Sequence, residues 1–195
     1  MENDYAISLP PLVLDSADAR AKAVLEQARA QVGFIPNMYA NMANSPGLLE
    51  TYLAGYRAFR AASGLTPAEQ ETVFLTISRE NGCPYCVAAH STLADTASKV
   101  PTAVTDAIRD DAEIPDARLA ALAAFTRAMV ATRGHPSRED GEAFVAAGYT
   151  ERQVLEIVLA VAVKTLSNYS NHLFHTVTDP RFARRRWNAP ADAGR

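Results

Sequence analysis

Apolar residues recur along the chain at intervals of three and four and nowhere alternate with polar ones, the period of helices that bury one face. Ala17, Ala21, Val24, Leu25, Ala28 and Val32 form the first such row, which predicts a helix over Ala17–Gln31 capped by Ser16 and stopped by Gly33. Phe34-Ile35-Pro36 opens a short helical turn through Met38, Tyr39 and Met42. Ser45-Pro46 starts the next helix, which carries Leu48, Leu49, Tyr52, Leu53, Tyr56 and Phe59 and stops at Gly64. Thr66-Pro67-Ala68-Glu69 is a capping box with proline at the first helical position, and the helix it begins runs to Asn81, with Gly82 ending it. Cys83 is the next N-cap and Pro84 its first helical residue. That helix passes through Cys86, Ala89, His90 and Leu93 to about Ser98.

The same signals predict a short helix over Thr102–Asp110 and one from Pro115-Asp116 to Gly134, with Leu119, Leu122, Phe125, Met129 and Val130 inward. Ser137 caps a helix to Ala147, and Thr150 caps the longest, from Glu151 to about Thr176. The middle of that last helix, Val154 to Leu166, is apolar nearly all round, so it is expected at the centre or in a subunit interface. The fold class is therefore all-α, a single domain over 1–195 built around a hairpin at 65–98. Residues 1–14 hold Pro10-Pro11 and no helical period, an extended arm able to lie across a neighbouring subunit. The tail, 178–195, with Arg181, Arg184, Arg185, Arg186 and Trp187, reads as a solvated or subunit-contacting end. An echo joins two stretches: Gly64-Leu65-Thr66 aligns with Gly148-Tyr149-Thr150, and Cys83-Pro84-Tyr85-Cys86 with Ser167-Asn168-Tyr169-Ser170, as an internal duplication would leave them.

Composition narrows the function. The 195 residues are 48% hydrophobic, enough for one sizeable core, and the net charge of −3 supplies no field to gather nucleic acid or anionic lipid. No apolar run reaches the roughly 20 residues that span a bilayer, and the N-terminus is acidic where a secretory signal is basic. A cytoplasmic location follows as the expectation. In that compartment two cysteines spaced C-x-x-C point to redox or metal chemistry. Metal is the weaker option, because zinc takes four ligands and no second C-x-x-C or H-x3-H follows.

The thiolate is the reactive form of cysteine, and a helix N-terminus stabilises it through free N–H groups and the positive end of the dipole. Cys83 and Cys86 share one face of a first helical turn, close enough to close a disulfide, and His90 stacks one turn beyond Cys86. An imidazole there suits taking the thiol proton or stabilising the thiolate. By position alone Cys83, nearer the helix end, would be the more exposed sulfur. Glu71 lies at the margin of the apolar face formed by Val73, Phe74 and Ile77, so loss of solvent should raise its pKa, as a proton shuttle requires. A fold-back at Gly82 brings it within a turn or two of His90. Phe74, Tyr85 and Leu93 beside the cysteines favour an organic substrate. His172 and His175 with Asn168 and Asn171 form a second polar cluster, incomplete as a metal site and read as structural or as a substrate contact.

Glu71, Cys83, Cys86 and His90 together match E-x11-C-x2-C-x3-H. In this the chain resembles the AhpD-like, carboxymuconolactone-decarboxylase-fold alkylhydroperoxidases, most tightly over Leu65–Leu93, with Thr165–His175 similar to the C-terminal part of the larger peroxidase-related members. The resemblance implies an all-helical homo-oligomer, trimer or hexamer, with Cys86 as the peroxidatic cysteine, Cys83 as the resolving one, and Glu71 and His90 in a proton relay. It implies a thiol-dependent peroxidase that reduces organic hydroperoxides, holds no cofactor or metal and is recharged by an external dithiol reductant protein. The founding members carry a histidine just before the second cysteine where this chain has Tyr85, whose phenol, with an ordinary pKa near ~10, is a poor base at neutral pH. Two alternatives stand beside this: a lactone-processing or decarboxylating enzyme on the same fold, and a dithiol redox sensor whose output is binding.

Overall fold

In a computed structural model, which describes residues 4–190, the chain is all-α, with no strand among the described residues. The elements are α1 (Ala19–Val32), α2 (Asn37–Met42), α3 (Pro46–Ala62), α4 (Pro67–Glu80), α5 (Pro84–Leu93), a π-helical turn (Ala94–Ser98), α6 (Thr102–Asp110), α7 (Ala117–Ala131), α8 (Arg138–Ala146), α9 (Glu151–Phe174) and a 3₁₀ turn (Pro180–Arg185).

α4 is the axis of the bundle. Every side chain from Glu69 to Ser78 is buried, because α5, α6, α7 and α9 all pack against it. Its start is fixed by the capping box, in which Thr66 and Glu69 exchange hydrogen bonds. Its end is a Schellman turn: the Gly82 N–H donates to the Arg79 carbonyl and the Cys83 N–H to that of Ser78, each at 2.9 Å. The turn needs a left-handed residue, and Gly82 supplies φ 62°. Cys83 closes that turn and is at once the N-cap of α5, so no spare residue lies between the two helices. On the other side α9 lies close along α3, where Gly55 makes room: a Cβ at Gly55 would stand 2.8 Å from Val163 Cγ2.

Two helix ends differ from their sequence expectation. α1 is capped by Asp18, whose carboxylate accepts from the Ala21 N–H, while the Ser16 hydroxyl donates to the Val13 carbonyl. A carboxylate at the cap gains from the helix dipole as well as the hydrogen bond, which a hydroxyl does not. α5 stops at Leu93 and widens into a π turn before Lys99 takes a left-handed conformation. α9 is buried on one side only: Ile157, Ala160, Val163, Lys164, Ser167 and Asn168 point inward, while Leu155 is 69% and Val158 47% exposed. The arm lies against its own chain, the Ile7 N–H bonding the Leu173 carbonyl and the Leu12 N–H that of Ala40.

The tail also folds back, onto α5. Arg185 pairs with Asp95 and Asp106, Trp187 Nε1–H donates to the Arg109 carbonyl, and Phe182 meets Tyr85 edge-on at 6.0 Å. Its sequence reads as a solvated end because the acids that neutralise it lie on other elements. Residues 1–3 of the expected arm and 191–195 of the expected tail lie outside the described residues. The echo is limited to the caps, Thr66 and Thr150 both closing capping boxes. α9 then runs unbroken through Ser167–Ser170, where α4 has already turned.

Candidate functional site

The hairpin sets α5 against α4 so that His90 Nδ1 lies 2.8 Å from Glu71 Oε2. The other imidazole nitrogen, Nε2, lies 3.0 Å from Lys164 Nζ on α9. An ammonium has only protons to give, so His90 accepts at Nε2 and its proton sits on Nδ1, donated to Glu71. Arg60 on α3 closes the far end of the row by ion-pairing with the other Glu71 oxygen, Oε1. Arg60 is itself held against two stacked rings, 4.9 Å from the centroids of Tyr56 and Phe74, and donates to the Tyr56 hydroxyl and the Gln70 side-chain oxygen. Four helices thus contribute one side chain each to a row Arg60–Glu71–His90–Lys164. All but Arg60 are almost fully buried.

Both sulfurs are buried, Cys83 at 0% and Cys86 at 2% exposure. This corrects the helix-end expectation of a more exposed Cys83: the Schellman turn folds it under α9. Asn171 bridges the pair, its Nδ2–H donating to Cys86 Sγ at 3.3 Å and reaching Cys83 Sγ at 3.8 Å. Ser167 Oγ stands 4.0 Å from Cys86 Sγ.

Charge follows this geometry. Burial pushes the Cys83 thiol well up. Burial pushes against the Cys86 thiolate too, but the hydrogen bond from Cys83 and the Lys164 ammonium outweigh it and hold Cys86 well below the ordinary thiol range. Of the two sulfurs, Cys86 is the one whose surroundings favour the negative charge. Burial, then the Lys164 charge, depress the His90 pKa and keep the ring neutral. Burial alone would raise Glu71, as its sequence position predicts. Its bonds to His90 and Arg60 reverse the sign and hold the carboxyl below the usual range. Because His90 is neutral, we assign that hold chiefly to the permanent charge of Arg60. Glu71 is thus held toward its ionised form by its two partners.

A cleft of about 590 Å³ opens onto the row from outside, and Cys86, Tyr85, His90 and Lys164 line it while Cys83 does not. Tyr39, Tyr52 and Tyr56 form one wall, with Phe34 and Phe182 on another and Arg181 and Leu93 also on the lining. Tyr85 is fixed there, its hydroxyl donating to Asp179 at 2.5 Å. Asp179 also accepts from the Asn37 N–H at the start of α2. Burial and Asp179 push the Tyr85 phenol far up, so it serves as wall and tether.

Phe74, expected near substrate, is instead fully buried beneath the row, 5.1 Å from the His90 ring and 5.3 Å from that of Tyr56. Its place on the central face of α4 puts it under the imidazole, away from the cleft. The expected histidine cluster separates. His172 stacks on Tyr169 at 6.3 Å, and His175 is the exposed left-handed cap of α9. Asn168 accepts from the Asn81 side chain at the hairpin turn, and Asn171 alone of the four meets the sulfurs. Among the described residues no three His, Cys, Asp or Glu side chains converge as a metal-ligand set.

Sequence reasoning missed Lys164 and Arg60. Lys164 had a signal: it is the one charged residue between Ile157 and Asn171 and falls on the inward row of α9.

Residues 46–134 match the model of the carboxymuconolactone decarboxylase family. Among solved structures, the chain is similar to the alkylhydroperoxidase AhpD core of an uncharacterized peroxidase-related protein from Ralstonia eutropha JMP134. There the TM-score is 0.77 at 25% identity, over 89% of this chain and 93% of that one. It is similar to an uncharacterized peroxidase-related protein from Silicibacter sp. TM1040, with a TM-score of 0.75 at 18% identity over 92% and 94% of the two chains. The debrominase Bmp8 in complex with 2,3,4-tribromopyrrole shares the fold, with a TM-score of 0.74 at 18% identity over 92% and 95%. A comparison with curated proteins gives no match.

Proposed function

We propose, from the match of residues 46–134 to the carboxymuconolactone decarboxylase family and the fold shared with the AhpD core, that the chain is a thiol peroxidase of that AhpD-like superfamily, reducing organic hydroperoxides through a Cys83–Cys86 cycle. The observation that carries the reading is the asymmetry of the sulfurs: Cys86 lines the cleft with its charge stabilised by Lys164, while Cys83 lies behind it with a raised pKa. A peroxide entering the cleft meets only Cys86.

In the proposed cycle the Cys86 thiolate attacks the terminal peroxide oxygen, the O–O bond breaks, and a sulfenic acid forms on Cys86. The departing alkoxide takes a proton from Lys164, which lines the same cleft. Cys83, as thiol, then condenses with the sulfenic acid, giving the disulfide and water. An external dithiol passes its two electrons and two protons to the disulfide by exchange and restores the pair. Glu71 and His90 act as a relay of orientation: Glu71 fixes the imidazole tautomer, and the imidazole lone pair fixes the ammonium. Asn171 donates to the attacking sulfur and orients it. No resident cofactor enters these steps. The reading includes a cytoplasmic location and a homo-oligomer. Supporting the first, no helix among the described residues is long and apolar enough to cross a membrane. Supporting the second, Leu155, Val158 and Tyr169 leave an apolar row exposed on α9.

Stopped-flow mixing of the reduced protein with cumene hydroperoxide tests the proposal. Loss of two thiols per chain is expected in the wild type, no loss from Cys86→Ser, and a dimedone-trappable sulfenic acid in Cys83→Ser. Unchanged thiol content in the wild type over minutes at neutral pH overturns it. A decarboxylase acting through Lys164 and His90 would keep its activity in both serine variants. A sensor would show slow turnover and a change of assembly or partner affinity on oxidation.

A further inference from the structure

Six aromatic rings line the cleft: Phe34, Tyr39, Tyr52, Tyr56, Tyr85 and Phe182 come from the α1–α2 connection, α2, α3, α5 and the C-terminal turn. Tyr39 and Tyr52 meet edge to face at 5.8 Å, and Tyr85 and Phe182 at 6.0 Å, so the wall has fixed ring orientations. Such a wall rewards a flat ring over a flexible chain through quadrupole geometry as well as buried area.

Apart from the Cys86 sulfur, the charges in the cleft have one sign. No Asp or Glu lines it, and two cations do: Lys164 next to Cys86 and His90, and Arg181. Lys164 is committed to the thiolate and the imidazole. Arg181 has no carboxylate partner among the described residues, although Arg185, in the same turn, is paired twice, with Asp95 and Asp106. The Arg181 guanidinium carbon lies over Phe34, 4.4 Å from the ring centroid, a cation–π contact that holds the group at the cleft. It is also exposed, whereas Lys164 is fully buried, so the two cations stand at different depths.

We propose that the cleft selects aromatic hydroperoxides bearing a carboxylate, with the peroxide directed inward to Cys86 and the carboxylate outward to Arg181. The proposal rests on the peroxidase reading and narrows its substrate class. The chemistry is unchanged: the thiolate takes the terminal oxygen, and the carboxylated alcohol leaves after protonation. The carboxylate takes no part in bond making and acts by orientation, holding the O–O bond toward the sulfur.

The test compares second-order rate constants for thiol loss with tert-butyl hydroperoxide, cumene hydroperoxide and para-carboxycumene hydroperoxide, using the full reduced chain. Cumene hydroperoxide should exceed tert-butyl hydroperoxide by about tenfold, the order expected of one well-placed aromatic contact. The carboxylated probe should exceed cumene hydroperoxide by roughly two- to fivefold, the range of an exposed ion pair, and the advantage should shrink in high salt. In Arg181→Gln the ratio of the carboxylated to the neutral probe should fall toward one, and in Phe34→Leu, which removes the ring beneath the guanidinium, it should fall as well. Equal rates for the two aromatic probes, or a ratio that Arg181→Gln leaves in place, overturn the selectivity while the peroxidase reading stands. If no probe oxidises the thiols, the peroxidase reading fails and takes this one with it.

Discussion

Lys164 Nζ stands 3.0 Å from His90 Nε2, so the imidazole that sequence spacing pairs with Cys86 spends its lone pair on a lysine from another helix. The base nearest the thiol is therefore occupied. The cationic partner of the sulfur is Lys164, and His90 acts through it.

Lys164→Met keeps the stem of the side chain and removes the charge. The pH midpoint for alkylation of Cys86 by iodoacetamide should move up toward that of an ordinary thiol. A hydrogen bond to a charged group is worth about 1.5–3 kcal/mol, so peroxide reduction at neutral pH should slow by roughly 10- to 100-fold. A midpoint unchanged in this variant would show that some other group holds the thiolate.

Glu71→Gln is nearly isosteric and leaves Arg60 without its counter-ion in a pocket of rings. Breaking a buried pair from one side costs about 3–5 kcal/mol. The amide can still accept one bond, which places the expected loss in urea unfolding near ~3 kcal/mol. Double replacement, Glu71→Gln with Arg60→Met, should recover part of it.

Stability should fall as pH drops below ~6.5, the ordinary histidine value. Burial depresses the pKa of His90 and of His172. Between that value and their lower native ones the unfolded chain binds protons that the folded chain refuses, so unfolding takes up protons and the slope of stability against pH is positive. The contribution is complete above the unfolded pKa and lost as pH passes down through the folded ones. Glu71, also depressed, extends the loss to the carboxylate range. Chemical denaturation across this range should give a shallower slope for His90→Gln, with His172 supplying what remains.

Gly55→Ala should damage the site without touching it. The new methyl would overlap Val163, whose β-branched side chain has little freedom to retreat, so α9 must shift away from α3. Overpacking of this kind costs about 1–3 kcal/mol. Lys164 follows Val163 directly, so peroxide reduction should fall more than the change in melting temperature implies. Equal activity in the refolded variant would mean that α9 tolerates the shift.

The all-α class and most helix boundaries were legible because caps and stops are local: Thr66, Gly82, Ser137 and Thr150 each act within a few residues. The pairing of Glu71 with His90 was legible for the same reason, since one tight turn joins their helices. What escaped depends on chain that returns from far away. Lys164 is 74 residues from His90, and Asn171 is 85 from Cys86. The sign of the Glu71 shift was unreadable without Arg60, whose identity as its partner depends on how α3 crosses α4. Phe74 is near the motif in sequence but not near the cleft in space, because α4 points it the other way, beneath the imidazole.

The hairpin that carries both sulfurs is synthesised long before α9. Until Lys164 and Asn171 emerge and α9 docks, Cys86 has neither its cation nor its donor and behaves as an unactivated thiol. The electrostatic setting of Cys86 is thus completed late, by the docking of α9, and under the proposed function a nascent chain would be protected from its own chemistry while its cysteines are still exposed.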